Sequence, residues 1–361
     1  MTNPAQRTGI ANLPLHYGKV PPWLFDRMTK LAREISIAII TEFGLKEMLR
    51  RLSDPFWFQA LGCVLGYDWH SSGVTTTVCG ALKEGLKGLE NDLGFFIAGG
   101  KGKTSRKTPA EIESVGHLLK SPASRLVYAS RIAAKVDNSA LQDGYQLYHH
   151  TFFFTADGSW AIVQQGMNET NHYARRYHWL GEDVTDFVCE PHTAICSQAK
   201  GTVLNLIAAE SGPARHTITQ VTLEEKPEKI ISQLKKLKAL NLPPRHHLNL
   251  EDIHPDRLSK TLLITYEQQP QDFEQLLGLE GVGAKTLRAL SLISELIYQV
   301  PVSIRDPARY SFAHGGKDGH PYPVDRKTYD KSIEVLHQAL ARAKVGDNEK
   351  LAALRRLRAW V

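Results

Sequence analysis

Residues 279–287 read LEGVGAKTL, with helical apolar patterns on both sides. Gly281 and Gly283 let the backbone turn tightly and let another chain approach closely, because no Cβ stands in the way. Thr286 and its neighbours then open a helix carrying Leu287, Leu290, Ile293, Leu296 and Ile297. The first backbone N–H groups of such a helix have no partner inside it and form an anion site. Upstream, DFEQLL (272–277) supplies a preceding helix. Lys285 stands where the second helix starts, and its amine has two chemical uses. As an ammonium it holds a phosphate; as a free amine it attacks an electrophilic carbon.

Helix, glycine turn and helix in this order resemble the helix-hairpin-helix DNA-binding motif. That resemblance implies phosphate contact independent of base sequence through Gly281, Gly283, Thr286 and Arg288. Farther on, PYPVDRKTYDKSIEVLHQAL (321–340) places Asp325 to cap a helix whose core positions include Ile333, Leu336 and Leu340. GVGAKT followed by PVD resembles the endonuclease III-like superfamily of DNA glycosylases over roughly residues 226–345. The resemblance implies Lys285 as the Schiff-base nucleophile and Asp325 as its acidic partner. The expected activity is a bifunctional DNA glycosylase and AP lyase that removes an oxidised or deaminated pyrimidine such as 5-hydroxyuracil. The damaged nucleotide would leave the stack to reach the pocket. Partial burial and basic neighbours are expected around Lys285, since both favour its neutral form.

One departure from the superfamily is plain. Asp325 stands 40 positions after Lys285, roughly twice the family's usual separation, with RDPARYSFAHGGKDGHPYP between them. Asp306 lies nearer the usual spacing and is the rival acid; Pro307 and Gly315-Gly316 soon interrupt its stretch, whereas a helical pattern directly follows Asp325. Lys317, in the inserted stretch, is a further expected DNA contact and Tyr322 a base-pocket residue. No iron–sulfur cysteine set follows, and no cofactor or metal is expected. Two other classes stay open: a non-catalytic DNA-binding module with Lys285 on a phosphate, and a metal-dependent nuclease using Asp306, Asp318 and Asp325. RTGIANLPLHYGKVPPWL, DPFWFQALGCVLGYDWHSSGVTTTV and YSFAHGGKDG together make the whole chain similar to a prokaryotic family of unknown function, which implies no activity.

Other stretches carry charge or recognition chemistry. GGKGKTSRK (99–107) holds Lys101, Lys103, Arg106 and Lys107 with no acid, a phosphate-tracking loop or a plain solvated one. A nucleotide-binding phosphate loop would need glycine at position 97, which is Ile. YDWHSSG (67–73) brings Trp69 and His70 into one turn, facing a base or capping a helix. QQGMNETNHYARRYHW (164–179) mixes amides, aromatics and the pair Arg175-Arg176. Gln164, Gln165 and Asn168 could read a base edge and the arginines a backbone; the plainer reading is a polar turn leading into an amphipathic helix. Cys189, His192 and Cys196 lack a fourth ligand at compact spacing and read as ordinary buried side chains. LRRLRAWV at the C-terminus carries Arg355, Arg356 and Arg358 on an amphipathic helix.

The elements that must position these residues form a mainly α, α+β chain. Pro21-Pro22 opens a helix through WLFDRMTKLAREISIAIITEF, and Asp54-Pro55 caps another. Two β-rich runs flank Asp157-Gly158, a hairpin signature, and HTITQVTL (216–223) alternates like a strand. Pro227 returns the pattern to helix through to Val361. Three parts are expected: a helical domain (1–140), a β-containing section packed on it (141–225), and an all-α helix-hairpin-helix domain (226–361). With 361 residues, a net charge of +6 and four scattered cysteines, composition points to a soluble, reduced, cytoplasmic protein with no membrane segment and permits a nucleic-acid partner; DNA as that partner is what the resemblance implies.

Overall fold

A computed structural model describes residues 20–67, 72–170, 172–197, 200–240, 242 and 253–308, with 334–335, 338–339 and 341–342 near the C-terminus. Pro22 starts α1 (Pro22–Phe43), which buries Met28, Leu31, Ala32, Ile35 and Ile39 at helical spacing. After α2 (Leu45–Ser53), the Asp54 carboxylate accepts from the Phe56 and Trp57 N–H groups at 2.8 and 3.2 Å and caps α3 (Pro55–Val64). Such a cap stabilises a helix by about 1 kcal/mol. The buried α4 (Gly73–Leu86) and the one-turn α5 (Glu90–Leu93) lead to β1 (Phe95–Lys101). Next come α6 (Thr108–Ser114) and α7 (Ala123–Lys135), which ends in a π-helical turn, Val136–Ala140.

A five-stranded antiparallel sheet occupies the centre: β1, then β3 (Gln146–Thr155), β4 (Trp160–Asn168), β5 (Tyr173–Leu180) and β6 (Ala194–Cys196), in that spatial order. The β3–β4 turn is the expected Asp-Gly one. Gly158 takes φ +91°, and the Asp157 carboxylate accepts from the Ser159 N–H and the Thr155 hydroxyl. Successive side chains on these strands enter opposite cores. Phe95, Phe153, Ala161, Val163 and Leu180 pack with the α1–α4 residues, whereas Phe96, Phe152, Phe154, Ile162, Tyr177 and Trp179 pack with the helices that follow. Three consecutive phenylalanines, 152–154, are buried because both faces of the sheet are covered.

A smaller sheet joins β2 (Leu141–Gln142), β7 (Thr202–Asn205) and β8 (Ser303–Arg305). Beside it stand α8 (Gly212–Glu224), α9 (Pro227–Lys238), α10 (Ser259–Gln268), α11 (Phe273–Gly278) and α12 (Ala284–Leu296). The architecture is α+β and mainly α. Among the described residues no helix is long and apolar enough to cross a membrane.

Three expectations are corrected. HTITQVTL is helical, part of α8: Pro213 sits in its first turn, and Ala214, Ile218 and Val221 form a buried stripe at helical spacing. Tertiary burial there overrides the β-preference of Ile, Thr and Val. Residues 164–179 do not enter a helix; they end β4, turn, and form β5. The C-terminal part is not purely helical, because β8 returns to pair with β7.

Candidate nucleic-acid interface

Asp272 caps α11 by accepting from the Gln275 N–H at 2.8 Å, and the helix runs out at Gly278. The chain turns through Gly281 at φ +82°, a conformation costly for any residue with a Cβ, and there an added Cβ would also meet Thr261 Oγ1 at 3.0 Å. Gly283 differs. Its φ of −141° is ordinary extended backbone, and a Cβ built on it meets nothing within 4 Å. Neither strain nor packing inside the described chain demands glycine at 283.

Gly283 is the N-cap of α12, with no side-chain cap bond. Lys285 is exposed in the first turn, Thr286 is buried beside it, and Leu287, Leu290 and Ile293 anchor the helix in the core. From within, two side chains of the 135–142 segment grip this hairpin. Lys135 Nζ donates to the carbonyls of Leu277, Leu279 and Val282 at 2.7, 2.5 and 3.3 Å. Gln142 donates to the Ala284 carbonyl at 2.9 Å and accepts from Arg288 Nε at 2.9 Å. Burial pulls the Lys135 ammonium below its ordinary pKa, with Glu280 opposing. The burial expected around Lys285 is not supplied by the described residues. Asp325, Lys317, Tyr322, Asp318 and the C-terminal arginines lie outside them, as do Trp69 and His70.

The Gln142 segment runs directly into β3, which ties the hairpin to one end of the central sheet. That end is fixed by register: Lys101 faces His149, His149 faces Gln165 and Gln165 faces Arg176. Three steps between strands separate the backbones of Lys101 and Arg176 by about 14 Å. Just past Lys101 the chain makes a 3₁₀ turn, Gly102–Lys107, with Lys101, Lys103, Arg106 and Lys107 all exposed. None of the four forms an ion pair among the described residues. The base of this turn is pinned: Glu111 accepts from the Gly99 N–H and from Lys83 Nζ, both at 2.7 Å. Gly99 has φ +87°, and a Cβ there would lie 2.2 Å from the His150 carbonyl oxygen. The Lys101 ammonium lies 6.0 Å from the centre of the Tyr148 ring. The β4–β5 turn sits at the same end, its Asn168 carboxamide accepting from the Thr170 N–H at 2.9 Å. Ser72 reaches it as well, its carbonyl accepting from Gln165 Nε2 at 2.9 Å.

Arg175 and Arg176 are not backbone contacts. They are 1% and 0% exposed and point to opposite faces of β5. Arg175 pairs with Asp143 at 3.0 Å and with Asp306 through both terminal nitrogens, at 3.1 and 2.8 Å, under the Tyr145 ring. Burial opposes the Arg175 charge, but Asp143, Tyr177 and Asp306 outweigh it and hold the guanidinium above its ordinary pKa. Arg176 donates to Gln59 at 2.9 Å and lies over Phe58; burial lowers its pKa, with Cys196 and Cys79 opposing. Asp306, the rival acid, is thereby committed to Arg175 and also accepts from the Gly201 and Ala308 N–H groups.

Gln164 and Gln165 are likewise interior residues, each 0% exposed. Gln164 donates to Asp137 at 2.6 Å and meets His150 Nδ1 at 2.8 Å, while Gln165 is held by Thr75, Tyr148 and Ser72. With their amides spent inside the protein, neither can read a base edge. His192 is bonded to Asp137, and Cys196 lies against Arg176; no cluster of three or more His, Cys, Asp or Glu that could hold a metal occurs among the described residues. The grip of Lys135 and Gln142 on the hairpin was invisible to motif reading, because their partners are mostly backbone carbonyls, which no residue pattern marks.

Neither the curated proteins nor the solved structures contain a match to this chain. A family model described as "Protein of unknown function (DUF763)" matches residues 9–324, most of the chain, and the protein belongs to that family.

Proposed function

We propose that the protein is a DNA repair enzyme, a bifunctional glycosylase and AP lyase that works through Lys285. One observation carries the DNA part of this reading. Gly283, the N-cap of α12 with no side-chain cap bond, has open space where a Cβ would stand, beside the exposed Lys285, so the close backbone approach that glycine permits there is available to a phosphate. The exposed cations of the 101–107 turn lie at the same end of the sheet and extend the surface available to a DNA backbone.

The chemical step rests on the resemblance of GVGAKT and PVD. The neutral Lys285 amine adds to C1′ of the damaged nucleotide, and the electron pair of the glycosidic bond leaves with the base. Opening of the sugar ring places a proton on O4′ and forms the imine. Loss of the C2′ proton then breaks the C3′–O bond and releases the 3′ strand as its phosphate. Asp325 would stabilise the positive charge that develops on the sugar.

A second reading, a DNA-binding module without chemistry, is favoured by the exposure of Lys285, which suits a phosphate contact. Incubation of the protein with a labelled duplex carrying 5-hydroxyuracil or an abasic site, with and without EDTA, separates the possibilities. Strand cleavage that survives EDTA supports the lysine-based lyase. Cleavage abolished by EDTA supports a metal-dependent nuclease, and binding without cleavage supports the module.

A further inference from the structure

We propose that Lys135 is the positioning residue of the hairpin: its ammonium, seated on three turn carbonyls, holds the start of α12 in the shape that receives a phosphate. The claim about phosphate rests on the DNA-binding reading above; the claim about the hairpin's shape does not.

An ammonium has three N–H groups, and the hairpin offers three acceptors. They are the carbonyls of Leu277 in the last turn of α11, and of Leu279 and Val282 in the turn itself. The carbonyls that end a helix have no partner inside it, and here they converge on a side chain that arrives from α7, 142 positions earlier for Leu277. Without the cation, oxygens carrying the same partial charge would face one another in a half-buried space, and the turn would relax. The neighbouring grip of Gln142 on the Ala284 carbonyl acts on the other side of Gly283, so the glycine at the α12 start is bracketed by two contacts from the same 135–142 segment. Lys135 thus ties α7 to the hairpin, and it sets a positive charge against the turn that leads into α12. Glu280 is the carboxylate that opposes its loss of charge.

The test uses the full-length protein and a duplex carrying a tetrahydrofuran abasic analogue, which can be bound but not cleaved through an imine. Lys135→Met is expected to weaken binding by about tenfold, the worth of a charged hydrogen-bond set lost at one site. Amide hydrogen exchange should become faster at residues 279–286 while the β3–β5 amides keep their protection. Lys135→Arg tests whether charge without the same geometry suffices, and is expected to recover part of the binding. Lys135→Ala is the sharper variant: propylammonium should restore both affinity and hairpin protection, whereas tetramethylammonium at the same ionic strength, which has no N–H to donate, should not.

Wild-type hairpin protection in a folded Lys135→Met protein would overturn the proposal, as would equal responses to the two ammonium ions. If the wild-type protein fails to bind the duplex, the DNA reading falls. The exchange measurements then still decide what Lys135 does to the hairpin.

Discussion

Arg175 and Lys285 carry the same charge and meet opposite fates. Arg175 lies inside the sheet, forked onto Asp306 and bonded to Asp143, and every approach to it is closed by protein. Lys285 stands on an open surface at the start of α12, next to a glycine that leaves room for another molecule. Position in the covalent chain does not separate them; what stands around each one does. A cation enclosed with carboxylates in the interior is part of the architecture, and one exposed on the first turn of a helix stands where an anionic ligand can reach it.

The largest expected effect of breaking this contrast is on the buried side. Replacing Asp143 and Asp306 together by Asn leaves Arg175 with an uncompensated charge in the interior and should cost about 3–5 kcal/mol in denaturant unfolding, whereas either replacement alone leaves it one carboxylate and should cost less. If the two acids were dispensable, the double variant would unfold like the wild type.

Next comes pH, because the interior admits positive charge only where a carboxylate or amide receives it. His149, His150 and His178 are buried, and burial is the leading cause that lowers each pKa, that of His149 to about 3. Between the unfolded value near 6.5 and the folded one, only the unfolded chain takes up the proton. Stability is therefore fully present above pH 6.5 and lost as pH falls, by about 2 kcal/mol for His149 at pH 5. Urea midpoints measured from pH 7 to pH 5 should drop steeply, and His149→Gln should make the slope shallower by one proton.

The two hairpin glycines sharpen the comparison at finer scale. Gly281→Ala forces a left-handed residue against Thr261 and should lower stability by about 1–2 kcal/mol. Gly283→Ala should change stability by less than about 1 kcal/mol, yet weaken DNA binding by occupying the space where a phosphate would come. Loss of stability at 283 with unchanged binding would reverse the assignment.

Smallest in stability is the exposed turn. Replacement of Lys101, Lys103, Arg106 and Lys107 by glutamine should leave the unfolding curve within about 0.5 kcal/mol of wild type. The slope of log affinity for DNA against log salt should flatten by about 0.9 for each phosphate contact removed. An unchanged slope would mark the turn as a solvated one.

These contrasts also explain what could be read from the residues alone. Asp54 before Pro55 and Asp157-Gly158 act on backbone groups two or three positions away, so local chemistry announces them. The Gly281–Lys285 hairpin is equally local. The interior roles of Arg175 and Arg176 are not legible locally because their partners are remote: Asp143 and Asp306 stand 32 and 131 positions from Arg175, and Gln59 stands 117 from Arg176. Gln164 and Gln165 failed for the same reason, since a carboxamide that reads a base and one that satisfies a buried His or Tyr look alike in sequence. The alternation of HTITQVTL points to a strand, but Pro213 and the 214, 218, 221 spacing carry the helical signal. Lys135 left no trace at all, since carbonyl acceptors belong to every residue.

The most direct test is a covalent one. Wild-type protein and Lys285→Ala are incubated with labelled duplex containing 5-hydroxyuracil, uracil or an abasic site, and borohydride is added to reduce any imine. Lysine-based lyase chemistry predicts a protein–DNA adduct that forms with wild type and is missing from a folded, DNA-binding Lys285→Ala. Binding of every duplex with no adduct from the wild type, or an adduct that persists in the variant, would contradict the assignment of Lys285 as the nucleophile.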